Sequence, residues 1–312
     1  DHTSSLMFLE KFIAKKNGKQ IKETNISAWR RTICGDLTSA FRPFDGSKEE
    51  SLPFLEKDPF LEKIHRAKFK KEPTNFHALN AAEIDAVNKR IPGSPLPAQE
   101  PGVRRSCALP YAPEVNGVMK EDSSFEIAFH VNNQLFGSET AGSPFTVYAY
   151  PVPDPMTQLP RNYAVIPGDR LSDRWKIDAY DEKSYHLAVY GPNGFFREFK
   201  GAAGLRGFEI SVTHDVKEIR RKGRPALVLT IKTANLNDVI CTIKHNAYNY
   251  SGKQINLRKN SGELKLDLSA SFGWYDFTIQ ISNGTETASY RYAGRVETGK
   301  ASFSDPAMGG EN

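Results

Sequence analysis

The spacing of hydrophobic and polar positions changes near residue 111. Before that point, apolar residues recur every three to four positions, the spacing of one helical face, as in 6–13. Six prolines fall between residues 92 and 113, a density that interrupts both helices and central strands. Residues 1–110 are therefore predicted to be helical and irregular, with too few apolar faces to enclose a core.

Polar residues mark the predicted helix starts in this first region. Thr3 or Ser4 is placed to cap the first helix, and Ser27 and Asn80 are placed to cap two more. Because these helices are short and sparsely apolar, we expect them to pack onto polypeptide outside this sequence. The alternative is that they pack onto the domains that follow.

After residue 111, apolar and polar residues alternate with the period of two that is typical of half-buried strands. The alternation is clear in 125–131, 145–150 and 185–189. Gly-Pro-Asn-Gly at 191–194 separates the last of these from another apolar run, which predicts a hairpin. The second part of the chain is therefore predicted to be antiparallel β-structure.

An internal repeat organises the β-rich part. Three landmarks recur at a nearly constant offset: Asp178 and Asp267 are 89 residues apart, Tyr185 and Tyr275 are 90 apart, and Gly201 and Gly294 are 93 apart. A duplicated unit of about 90 residues with short strands fits an antiparallel β-sandwich of immunoglobulin-like kind. We predict two tandem sandwiches, residues 111–205 and 206–312, after a first region at 1–110.

Composition narrows the functional classes. Apolar residues make up 39% and charged residues 25%, as in ordinary globular proteins, and the formal net charge is only +5. Since basic residues are not interleaved with aromatic ones, nucleic-acid binding is not predicted. The chain opens on Asp-His-Thr-Ser, without a methionine or a basic leader, so we expect it to begin inside a longer polypeptide.

Cysteine and histidine spacing predicts no metal site within this chain. The three cysteines, Cys34, Cys107 and Cys241, include no Cys-x-x-Cys pair and are interpreted as small buried hydrophobic residues. Their number allows one disulfide bond, for which the sequence gives no geometry.

Six residues are candidates for contact with a ligand, and each has a structural alternative. The carboxylate of Asp1 beside the imidazole of His2 suits contact with a metal or a phosphate, whereas the alternative is that His2 and Thr3 cap the helix. An indole ring can bind a quaternary ammonium, but anchoring of a helix or filling of a core is the favoured interpretation. Tyrosines in a loop can contact a lipid interface, although exposed tyrosine is common. The aromatic candidates are Trp29, Trp274, Tyr248 and Tyr250.

Several motifs, in order along the chain, point to one family. They are Asp1-His2-Thr3-Ser4, 25–31 (NISAWRR), 34–41 (CGDLTSAF), 99–102 (QEPG), 273–277 (GWYDF), 293–299 (AGRVETG) and 304–307 (SDPA). Together they resemble the C-terminal portion of bacterial phosphocholine-preferring phospholipases C of the non-haemolytic type. The resemblance spans essentially the whole chain.

The resemblance implies a function for the parent protein. Such enzymes are exported by bacteria and hydrolyse phosphatidylcholine, some also sphingomyelin, at a metal-dependent α/β catalytic domain similar to alkaline phosphatase. Residues 1–110 would be the tail of that domain. The nucleophile and the divalent-metal ligands would lie outside this sequence, which would hold no cofactor and be inactive alone. A secreted or periplasmic location and a phospholipid or membrane-surface partner follow from the resemblance.

Two other functions stay open at this point. The tandem sandwiches could be a non-enzymatic module that binds glycans or proteins, because a fold does not fix a function. They could also serve only to stabilise the catalytic domain.

Overall fold

The computed structural model describes residues 1–41, 46, 54, 56–72, 74–89, 91–96, 101–150, 159–177, 184–233, 240–248, 253–255 and 261–309. These residues form two compact units. One combines 1–41 with 101–312, and the other is 42–100.

The larger unit begins with helix α1, His2–Asn17. Asp1 caps this helix, because its carboxylate accepts a hydrogen bond from the Thr3 amide at 2.8 Å. The Ser4 side chain completes a capping box. The prediction that Thr3 or Ser4 is the cap was therefore wrong, since a better acceptor precedes them. Gly18 ends the helix in the left-handed conformation.

Helix α2, Ala28–Ile33, follows after a short connection. Its predicted cap is confirmed, since Ser27 Oγ accepts from the Arg30 amide at 3.3 Å.

The smaller unit contains helices α3, Lys57–Arg66, and α4, Ala81–Asn88. Asn80 caps α4 as predicted, and Glu83 bonds back to the Asn80 amide at 2.9 Å. None of the described residues of this unit is buried, and Ile64 of α3 is 70% exposed. This agrees with the expectation that the region encloses no core of its own.

The larger unit is otherwise built from strands, and every predicted strand overlaps one of them. The first repeat and its approach contain β1 Arg105–Ser106, β2 Pro113–Met119, β3 Ser124–Val131, β4 Ser143–Tyr150, β5 Arg161–Val165, β6 Arg170–Lys176, β7 Ser184–Tyr190 and β8 Phe196–Ala202. The second contains β9 Phe208–His214, helix α5 Val216–Lys222, β10 Ala226–Thr233, β11 Ile240–His245, β12 Lys253–Ile255, β13 Ser261–Asp267, β14 Trp274–Ser282, β15 Thr287–Arg295 and β16 Ser302–Phe303.

The two repeats have the same strand order. In the first, one sheet is β2-β3-β6 and the other half-sheet is β5-β4-β7-β8. In the second, the corresponding orders are β9-β10-β13 and β12-β11-β14-β15, with every strand number seven higher. The ladders are antiparallel. The predicted fold class, a helical start followed by antiparallel β-sandwich structure, is confirmed, and the repeated strand order agrees with the predicted duplication.

The repeats are joined edge to edge. Strand β8 pairs antiparallel with β15, which makes one eight-stranded sheet from two four-stranded halves. Glu198 lies opposite Arg291, its own equivalent at the 93-residue offset. The pair Lys200–Ser289 on one side therefore corresponds to Ala293–Phe196 on the other. The joint is a local pseudo-two-fold axis, and it covers two strand edges that would otherwise be open.

A second contact between the repeats uses side chains. Where β2 and β9 lie side by side, Asn116 Oδ1 accepts from the Val212 amide at 2.9 Å. Glu114 Oε1 accepts from both the amide and Nδ1 of His214, each at 3.0 Å. The apolar interior is continuous through both repeats. The domain boundary near residue 205 stays a prediction, and the core crosses it.

Candidate functional site

A cavity of about 660 Å³ lies between the helical start of the larger unit and the loops of the first repeat. Polar residues of both sides line it, among them Lys11, Cys34, Asp36, Tyr111 and Thr140. The cavity is large enough for a small ligand, with mixed polar and apolar walls.

Helix α2 forms one wall because it packs directly on β4 and β5. Gly142 permits this approach. A Cβ at that position would lie 2.7 Å from the Thr32 carbonyl oxygen and 3.2 Å from that of Val165. The backbone of the helix therefore lies against the backbone of the sandwich, where only glycine fits.

An ion pair fastens α1 to α2. Arg31 donates to both carboxylate oxygens of Glu10, at 2.8 and 2.9 Å, and to the Glu23 carbonyl oxygen at 2.7 Å. The hydrogen bond from Arg31 is the main reason that the pKa of Glu10 falls to about 2. A bidentate pair of this kind fixes geometry as well as charge.

A second ion pair lies at the cavity wall. Lys11 pairs with Asp36, which also accepts hydrogen bonds from the amide and the hydroxyl of Thr38. Burial by itself would raise the pKa of Asp36, but the bonds from Lys11 and Thr38 outweigh it and hold the pKa below its ordinary value. Asp36 is therefore an ionised, already partnered carboxylate.

Hydroxyl groups complete the polar side of the cavity. Burial raises the pKa of the Tyr111 phenol, so it stays protonated. The Thr140 hydroxyl is buried and has no hydrogen-bond partner among the residues that the structure describes. These groups can bind a ligand through hydrogen bonds.

The described residues do not fit a metal centre. Among them, no group of three or more His, Cys, Asp or Glu side chains is placed to hold a metal ion. All three cysteines are free of disulfide bonds.

Asp1 lies beside this cavity, whereas the next residue, His2, is not among those that line it. Asp1 accepts from Arg30 Nη1 at 2.8 Å, and Cys34 Sγ lies 3.5 Å from its other oxygen. His2 is exposed at the start of α1. The helix cap is Asp1 itself, not His2 or Thr3 as the structural alternative had it, and Asp1 also ties α1 to α2 through Arg30. A role for the pair in ligand contact stays a prediction.

The aromatic candidates are on different elements and differ in their exposure and contacts. Trp29 is 46% exposed on α2. Trp274 is half-buried at the start of β14, donates from Nε1 to the Phe303 carbonyl oxygen at 3.1 Å, and has the Arg295 guanidinium 5.4 Å from its ring. Tyr248 donates to Asp305 at 2.9 Å. Tyr250 lies outside the described residues.

Sequence reasoning did not single out the exposed aromatic side chains of the first repeat. Tyr148, Tyr150 and Tyr190 point outward from β4 and β7, and Phe196 lies beside them on β8. A signal existed, because Tyr148 and Tyr150 occupy alternate positions of one strand, on its polar side.

Comparison with known proteins agrees with this architecture. Residues 105–202 match the family described as bacterial phospholipase C, C-terminal domain. This part of the chain is therefore similar to the domain that defines that family. Over 99% of its length the chain is 31% identical to a non-hemolytic phospholipase C of Pseudomonas aeruginosa and 32% identical to a hemolytic phospholipase C of the same species. It is 31% identical to a non-hemolytic phospholipase C of Burkholderia pseudomallei.

The predicted resemblance to bacterial phospholipases C is thus confirmed. The chain spans 40% of the length of two of these relatives and 42% of the third. Within the described residues, no helix is both long and apolar enough to cross a membrane.

Proposed function

We propose that this chain is the C-terminal part of a secreted bacterial phospholipase C that hydrolyses phosphatidylcholine to diacylglycerol and phosphocholine. The relatives are phospholipases C by name, and they match nearly the full length of this chain. In this proposal the nucleophile and a divalent metal belong to a catalytic part outside these residues, and phospholipid is the substrate of the whole protein. Sphingomyelin is a second substrate to test.

The proposed role of the sandwich pair is to hold and position the catalytic part. The observation that carries it is the close packing of α2 against the first repeat at Gly142. By family resemblance, α1 and α2 are the end of the catalytic domain. Leu6, Leu9 and Phe12 of α1 remain 46%, 47% and 56% exposed, an apolar face that the rest of that domain would cover.

A matched pair of glycine variants tests this role. Gly142→Ala places a methyl group against the Thr32 carbonyl and should cost about 1–3 kcal/mol while loosening α2. Gly35→Ala is the control, because its Cβ would meet open space. We expect faster proteolysis of residues 1–41 in Gly142→Ala only, and weaker phosphatidylcholine hydrolysis when the change is made in a longer protein carrying this chain. Equal proteolysis and equal hydrolysis in both variants would contradict the positioning role.

Inactivity of the 312-residue chain is tested separately. Phosphocholine release from phosphatidylcholine should be absent with this chain and present with a longer protein that contains it. Turnover by the chain alone would refute the placement of the catalytic centre.

The alternative, a glycan- or protein-binding module, is favoured by one observation, the exposed aromatic side chains on the first repeat. That observation leads to a distinct proposal about one face of the eight-stranded sheet.

A further inference from the structure

Four aromatic residues form one contiguous cluster on the outer face of the eight-stranded sheet. Its members, here called the aromatic cluster, are Tyr148, Tyr150, Tyr190 and Phe196. Ring centroids are 5.6 Å apart for Tyr148–Tyr190, 5.0 Å for Tyr190–Phe196 and 6.4 Å for Tyr148–Tyr150. The tyrosines are 39%, 36% and 47% exposed in chain order. Solvent therefore reaches three rings held by neighbouring strands.

The second repeat shows that the fold does not require this cluster. The equivalent positions on the same sheet face carry polar side chains instead. In the same order they are Lys244, Asn246, Gln280 and Ser289, identified from the strand register and the repeat offsets. Since the polar set supports the same strand order, the aromatic set is not explained by packing needs.

The size of the cluster limits its partner. It covers three adjacent strands, about 10 Å, and two alternate residues along β4, about 7 Å. A stable protein interface needs roughly 800 Å² on each side, far more than this area. A small or narrow ligand fits it better than a second protein does.

Polar side chains border the rings. His186 lies 4.8 Å from the Tyr150 ring centroid, and its Nε2 lies 2.8 Å from Glu198 Oε1. Lys200 Nζ contacts the same Glu198 oxygen at 2.8 Å. Burial tends to raise the pKa of Glu198, but the bonds from Lys200 and His186 hold it below its ordinary value, so this carboxylate is ionised. An ionised carboxylate disfavours contact with hydrocarbon and accepts hydrogen bonds from hydroxyl groups.

We propose that the aromatic cluster is a binding site for a short, uncharged oligosaccharide. Sugar rings have an apolar face whose C–H groups match the negative face of an aromatic ring. Their hydroxyl rim matches the donors and acceptors of His186, Glu198 and Lys200, which would fix orientation. The paired charges of this border favour an uncharged ligand over a polyanion. The site is separate from the phospholipase proposal and would bind even if that proposal failed.

Carbohydrate binding by the intact 312-residue chain tests the proposal. The probes are oligosaccharides of glucose, N-acetylglucosamine, mannose and galactose at millimolar concentration, with saturation-transfer NMR as the first measurement and titration for affinity. Tyr190→Ala should weaken binding about tenfold or more, equivalent to about 1.4 kcal/mol, because it removes one ring face. Tyr190→Phe should retain most of the affinity, since the ring remains.

The second repeat supplies the control. Gln280→Ala changes the equivalent position and should leave binding unchanged. Tyr190→Gln should also lose binding. Because Tyr190 is half-exposed, this change should lower the free energy of unfolding by no more than about 1 kcal/mol, so loss of binding is not loss of fold.

Two results would overturn the proposal. They are no binding of any sugar probe, and sugar binding that survives the Tyr148→Ala/Tyr190→Ala double substitution. If sugars do not bind but phosphatidylcholine vesicles bind in a way that needs the cluster, the cluster is assigned to a lipid surface.

Discussion

The two symmetry-related sides of the joint between β8 and β15 share one backbone arrangement, but different side chains link the repeats on each side. On one side, the Tyr185 hydroxyl of the first repeat lies 2.9 Å from that of Tyr290 of the second. On the other side, the Tyr275 hydroxyl accepts from Nη2 of Arg197 at 3.0 Å. Tyr185 and Tyr275 are equivalents in the repeat, as are Arg197 and Tyr290, so the two bonds are related by the pseudo-two-fold axis.

The two repeats therefore carry a polar link at equivalent positions but form it with different residues. Arg197 is 1% exposed and lies between rings, 3.9 Å from the centroid of Phe195 and 5.0 Å from that of Tyr292. Its Nη1 donates to the Phe196 and Ala293 carbonyl oxygens, each at 2.8 Å. Aromatic faces and carbonyl oxygens stabilise this buried cation. Equivalent positions therefore need a side chain long enough to cross the joint, but they do not need the same residue.

The largest expected effect comes from removing Arg197. Arg197→Ala should lower the free energy of unfolding by about 3–5 kcal/mol, because it leaves a cavity among aromatic rings and unpaired carbonyls. Tyr290→Phe, at the equivalent position in the other half, should cost only about 1 kcal/mol, since it removes the linking hydroxyl and keeps the ring. Urea unfolding of both variants measures the difference. Equal losses would break the comparison, because they would show that both links contribute alike.

Next in size is the second contact between the repeats, at Glu114. Burial by itself would raise the pKa of this carboxyl. Hydrogen bonds from His214 and Asn132 outweigh burial and lower the pKa from its ordinary value of 4.5 to about 2. Because the pKa of Glu114 is lower in the folded protein, this residue stabilises the fold at pH values above its unfolded-state pKa. That contribution, roughly 3 kcal/mol, should be lost as the pH falls from about 4.5 toward 2.

Glu114→Gln should remove most of this pH dependence and cost about 2–3 kcal/mol at neutral pH. Urea unfolding across the acid range would show a steeper loss of stability in the wild-type protein than in the variant. Parallel curves would mean that the β2–β9 contact does not depend on the charge of Glu114.

The smallest expected effect comes from substituting two equivalent glycines with alanine. A Cβ on Gly201 would lie 2.5 Å from the Tyr185 hydroxyl oxygen, and one on Gly294 would lie 2.9 Å from that of Tyr275. Gly201→Ala and Gly294→Ala should each cost about 1–2 kcal/mol, since a tyrosine must move in both. Gly294→Ala should cost more, because its φ of 152° is also unfavourable for alanine. Thermal unfolding ranks the two, and a larger loss for Gly201→Ala would show that strain at Gly294 is negligible.

Local patterns made much of the fold predictable. Alternation predicts the strands, and the recurrence of Tyr185 as Tyr275 and of Gly201 as Gly294 predicts the duplication from spacing alone. The cap at Asp1 was missed, because Thr3 and Ser4 are also good caps and sequence cannot show which oxygen reaches the helix amides.

The functional features depend more on tertiary contacts. The sequence places Asp1 and His2 together as candidates, whereas the structure brings Asp1 beside the cavity, through Cys34. Tyr148 and Tyr190 become neighbours only when β4 pairs with β7, so no local pattern could have grouped them.

The sequence by itself determined the strands, the repeat pattern and the family resemblance, because each of these depends on the spacing of residues or on short motifs along the chain. Tertiary structure alone decided that β8 and β15 join the repeats into one sheet, that Arg197 is buried among rings, and that four aromatic side chains share one exposed face. These features depend on which strand edges meet and in what register, and that pairing is set by the packing of residues about a hundred positions apart.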